Sequence, residues 1–174
     1  MLTARFVWSL FLFGMTCGAL GLSIGQTSPA ADESRAPGEA EFTKALNRII
    51  RAARERFRPV QSFRVDIRPG DIYWYEGQVV LPGAEYCRSY EHPRLRYVCQ
   101  WTGKNTTSKY DGVVDRVRAA LGDQWTFSAS ERRGRKMARF DPLDPSRTGS
   151  IEIEEGARTS EFSVRLSVFS AARW

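Results

Sequence analysis

Residues 73–101 read YWYEGQVVLPGAEYCRSYEHPRLRYVCQW, and the way this stretch folds back on itself decides the architecture. It contains Cys87 and Cys99, the chain's single histidine (His92) and its densest run of aromatic residues. Pro82-Gly83 and His92-Pro93 interrupt it, which predicts three strands in a meander. An L-Pro-Gly pair favours type II geometry, which splays a twisted hairpin, so a wide turn or a bulge is expected at the first break. If His92, Pro93 and Arg94 close the second break, Cys87 falls directly opposite Cys99. A facing pair at a non-hydrogen-bonded position lies about 4.5–5.5 Å apart, within disulfide reach. The pair lacks the Cys-x-x-Cys spacing of a redox centre, so the expected role is a structural staple.

The same register sorts side chains onto two faces. Trp74, Val80, Cys87, Leu95, Tyr97, Cys99 and Trp101 are expected on the core side. Tyr73, Tyr75, Val79, Tyr86, Arg88, Tyr90 and Arg96 are expected on the other. Tyrosine beside arginine, with few aliphatics, is the chemistry of a recognition surface. Rings bury area at small entropic cost, and a guanidinium both stacks and forks. Tyr73, Tyr75, Tyr86, Arg88, Tyr90 and Arg96 are therefore the candidate binding residues. Arg132, Arg133, Arg135 and Lys136 form a second, basic candidate patch that would suit an anion.

Upstream of the meander, residues 41–57 place Phe42, Leu46, Ile49, Ile50, Ala53 and Phe57 on one face of a helix. Residues 60–68 then alternate as a strand, with Phe63, Val65 and Ile67 on one side. Downstream, Ser108-Lys109-Tyr110-Asp111 resembles a capping box. Tyr110, Val113, Val114, Val117, Ala120 and Leu121 follow at helical spacing, closed by Gly122. Residues 125–131 and 136–140 predict a hairpin around the arginine-rich tip, with Phe127 facing Phe140 and Ala129 facing Ala138. A last hairpin is expected around residues 156–159, with Ile153 by Phe162 and Ile151 by Val164.

The order is helix, four strands, helix, four strands. Runs of strands after each helix predict an α+β fold, mostly antiparallel sheet with helices packed on one face. Residues 41–101 and 108–169 match in length and order, the pattern an internal duplication would leave. Residues 41–174 are thus expected to form a single domain, with those two segments as half-repeats.

The N-terminus sets the expected compartment. Arg5 precedes the uncharged apolar run 6–22, and Ser23 and Gly25 follow as small residues, so residues 1–25 read as a signal peptide. Retained uncleaved, the same segment would anchor the chain in a membrane. Residues 26–40, rich in Pro, Ala, Ser and acids, read as a disordered linker. The expected location is extracytoplasmic, secreted or periplasmic, where two cysteines usually pair.

Composition excludes several classes. One histidine cannot build an ordinary His/Cys zinc site. No Gly-rich phosphate loop or G-x-S-x-G elbow is present, and nothing calls for a cofactor. The net charge of +6 comes from arginines spread along the whole chain, which disfavours nucleic acid as partner. The expected function is binding rather than catalysis, with a protein or an anionic or glycan ligand as partner. An envelope structural component, or a hydrolase whose site leaves no motif, is the alternative.

Overall fold

The computed structural model describes residues 37–68, 72–103, 106–144, 146, 149–158 and 161–171. Helix α1 (Pro37–Ala52) leads into strands β1 (Gln61–Arg68), β2 (Ile72–Gly77), β3 (Tyr86–Tyr90) and β4 (Arg96–Thr102). Helix α2 (Thr106–Leu121) then leads into β5 (Trp125–Arg132), β6 (Arg135–Pro142), β7 (Ile151–Arg158) and β8 (Glu161–Phe169). All eight strands form one antiparallel sheet in the order β1-β2-β3-β4-β8-β7-β6-β5. This is the expected α+β architecture. Each half's last strand meets its counterpart at the centre, and each half's first strand forms an edge. A duplicated unit would produce this order.

α1 starts at Pro37, four residues earlier than its apolar spacing indicates, and so takes the end of the expected linker. Pro37 suits a first helical position because its missing N–H has no intrahelical partner there anyway. Residues 1–36, and with them the signal-peptide reading, lie outside the described residues, as do Pro69-Gly70.

Phe42, Leu46 and Ile49 of α1 and Val113, Val114 and Val117 of α2 are buried, as their spacing requires. They pack onto alternate sheet residues: Tyr97, Cys99, Val164, Leu166, Val168, Ile151, Ile153, Ala138 and Phe140. Each large apolar side chain removed from water contributes about 1.5–3 kcal/mol, so the two helices are held by this one face. After α1 the chain turns through Arg56 and Phe57, both left-handed (φ 57° and 62°). That conformation costs a non-glycine residue free energy. Burying the Phe57 ring completely, 5.6 Å from the Tyr97 ring, offsets it.

Tyr97 is the largest fully buried side chain among the described residues, and its hydroxyl donates to the Val79 carbonyl at 2.8 Å. Burial pushes its pKa up to about 12, against a smaller opposing effect of that hydrogen bond. Tyr110 under α2 is also pushed up to about 12, by burial and then by Asp111 and Glu155. Both groups are neutral when protonated, so a raised folded pKa favours the folded state at low pH. Their contribution is complete below the unfolded value of 10 and is lost as pH climbs through 12. The urea midpoint is therefore expected to fall across that interval. Tyr97→Phe, which has no proton to lose, should show a shallower fall. A midpoint independent of pH in this range would contradict the assignment.

The β5–β6 hairpin has the expected register, Phe127 opposite Phe140 and Ala129 opposite Ala138. The last hairpin does not. Ile153 faces Leu166 and Ile151 faces Val168, because β7 continues to Arg158 before the chain reverses. The shift spans an even number of residues, so the same side chains still reach the core.

Candidate functional site

Both helices pack on one side of the sheet, and no described helix or strand lies over the other side. On that open face, ladder pairing aligns side chains in rows across the strands. Trp74 faces Tyr90, which faces Arg96. In the next row Glu76 faces Arg88, which faces Val98. Tyr86 and Gln100 follow in a third.

The Arg88 guanidinium sits between two rings, 4.6 Å from the Trp74 centroid and 4.3 Å from that of Tyr86. Its Nε donates to Glu76 Oε1 at 3.0 Å, and Trp74 Nε1 donates to the same oxygen at 3.1 Å. One carboxylate thus fixes both a cation and an indole, while the Tyr86 hydroxyl donates to Gln100 at 2.7 Å. Arg88 is about a quarter exposed, so this pair is shielded more than an ordinary surface ion pair. Arg96 lies over the Tyr90 ring at 5.6 Å. Its Nε is buried and has no hydrogen-bond partner among the described residues. A buried donor without a partner costs about 1–3 kcal/mol. The site therefore combines a hydrogen-bonded aromatic–arginine stack with a second arginine set over a tyrosine ring.

Four of the six expected binding residues meet here: Tyr86, Arg88, Tyr90 and Arg96. Tyr73 and Tyr75 do not. They point to the helix side of the sheet, where their rings meet edge to face at 5.9 Å. Arg64 covers the Tyr73 ring at 3.8 Å, and the Tyr73 hydroxyl donates to Glu91. Trp74, expected in the core, takes their place on the open face. Val79 and Val80 exchange roles too, 6% and 46% exposed respectively. The cause is a shift of one residue. The wide turn expected at Pro82-Gly83 is there, but the face assignment rests on a register centred on that pair, which sets Trp74 against Glu91; β2 ends at Gly77 and the loop sets Trp74 against Tyr90. One residue of slip moves every β2 side chain to the opposite face. Glu76 was also missed; its alternation with Trp74 is the only trace it leaves in the sequence.

The basic patch is divided. Arg132, Arg133 and Arg135 are exposed at the β5–β6 tip, which is a two-residue turn with Arg133 and Gly134 left-handed. Lys136 instead pairs with Asp111 of α2 at 3.2 Å. His92 is exposed in the β3–β4 turn. Among the described residues no group of His, Cys, Asp and Glu has the arrangement to hold a metal ion, and no helix is long and apolar enough to cross a membrane. Compared with known proteins, the chain matches no family model, no curated protein and no solved structure.

Proposed function

We propose that this chain is an exported binding module whose open sheet face takes an anionic partner, a protein or a glycan, through Trp74, Tyr86, Arg88, Tyr90 and Arg96. The observation that carries the reading is the organised stack of Trp74, Arg88 and Tyr86, with Arg96 over the Tyr90 ring beside it. A stack held by Glu76 before binding loses little side-chain entropy on contact, which favours recognition over mere packing. Export draws support from the charged-then-apolar start of the chain and from the Cys87–Cys99 bond, which persists in oxidising compartments.

Arrays of acidic glycans and acidic peptides supply the test. Arg96→Gln and Trp74→Ala are expected to weaken capture about tenfold or more, as hot-spot truncations do, with the melting temperature unchanged. Variants that lose thermal stability in step with binding would show the face to be structural. Fractionation of the producing cell, with mass spectrometry of the recovered N-terminus, tests export.

A further inference from the structure

The two edges of the sheet are built differently. β1 carries register shifts at two places, between Gln61 and Arg64 and between Asp66 and Arg68. Such bulges twist an edge and discourage pairing with another chain. β5 has none: its eight residues pair with β6 without a shift, contain no proline and are exposed beyond Trp125. Leu143 N–H donates to the Gln124 carbonyl, continuing the ladder in which Trp125 faces Pro142. Because hydrogen-bonded and open pairs alternate, the even-numbered residues of β5 bond β6. The backbone groups of Trp125, Phe127, Ala129 and Glu131 therefore point to the outer edge, which no other described strand pairs.

We infer that β5 is a self-association edge, pairing antiparallel with β5 of a second copy about a two-fold axis through Ser128. The occupant follows from self-complementarity. In this register Ser128 faces Ser128 of the second copy, Thr126 faces Ser130, and Phe127 faces Ala129. Large is set against small, and no like charges oppose each other. Phe127, 41% exposed and capped on one side by Arg118 at 4.0 Å, gains an apolar neighbour. The antiparallel sense sends the two arginine tips to opposite ends and brings Arg132 and Arg133 of each copy toward Gln124 and Asp123 of the other. A parallel mate would instead set the tips together. This edge is independent of the aromatic–arginine face, which lies on β2 to β4.

The test is disulfide trapping in the full chain with Cys17→Ser, read as dimer on a non-reducing gel. Ser128→Cys is expected to cross-link with itself, because facing residues at a non-hydrogen-bonded pair lie within disulfide reach. Thr126→Cys and Ser130→Cys should each stay monomeric alone and cross-link when mixed. Ala129→Pro removes an outward N–H that β6 does not use, a substitution an edge strand tolerates. It should weaken dimer formation about tenfold or more, two ladder hydrogen bonds being lost per dimer. Absence of the Ser128→Cys dimer, or equal cross-linking by all three single variants, would overturn the inference. Survival of the dimer in a folded Ala129→Pro chain would do the same. If that proline variant fails to fold, the mixed Thr126→Cys and Ser130→Cys chains decide the matter alone.

Discussion

Gly77→Ala is expected to destabilise the fold by about 3 kcal/mol or more, the upper end of what overpacking a filled core costs. A methyl group at residue 77 would lie 2.0 Å from the Tyr97 hydroxyl oxygen and 2.6 Å from the Cys87 carbonyl oxygen. Neither neighbour yields easily. The Tyr97 ring is completely buried and tied by its hydroxyl to Val79, and the Cys87 carbonyl belongs to the stapled β3 strand. Glycine is required here for space. Urea unfolding of Gly77→Ala, Tyr97→Phe and the double variant separates the contributions. Removing the hydroxyl relieves the closest contact, so the double variant should be more stable than the two single losses added together. Strict additivity would mean that Tyr97 does not occupy that space.

Loss of the Cys87–Cys99 bond is the second large effect. The cross-link joins facing residues of β3 and β4, 4.1 Å apart at Cα and twelve positions apart in sequence. On chain-entropy grounds a loop of that size contributes about 3 kcal/mol. Cys87→Ala combined with Cys99→Ala is expected to lower stability by about that amount, read from the urea midpoint. Reductant should shift the parent toward the variant and leave the variant where it is. The consequence reaches the opposite face, because Tyr86, Arg88 and Tyr90 alternate with Cys87 along β3 and Arg96 shares β4 with Cys99. Hydrogen exchange in β3 should therefore speed up in the variant. Two thiols titrating in the unreduced protein would refute the bond itself.

The readings that survived from sequence rest on local periodicity or on a short loop. The spacing of Phe42, Leu46 and Ile49 specified a helix face, because 3.6-residue periodicity depends on nothing distant. Cys87 and Cys99 could be paired from their turn alone, since a few residues fix a hairpin register. Phe127 and Phe140 were matched for the same reason. The site was legible only within that limit. Tyr86, Arg88, Tyr90 and Arg96 all belong to the β3–β4 hairpin and were placed together correctly, whereas Tyr73, Tyr75 and Trp74 hang on β2 and were inverted.

By itself, then, the sequence determined the α+β order, the helix faces, the staple and the shared face of Tyr86, Arg88, Tyr90 and Arg96. The tertiary structure decided which way β2 faces, the central pairing of β4 with β8 and the unequal edges. Each of these depends on contacts across the sheet. Val79 and Leu81 leave the strand path for the core, and the Tyr97 phenol fills the space over Gly77. That packing sets the one-residue register that brings Trp74 beside Arg88, a choice that no local pattern in residues 73–101 records.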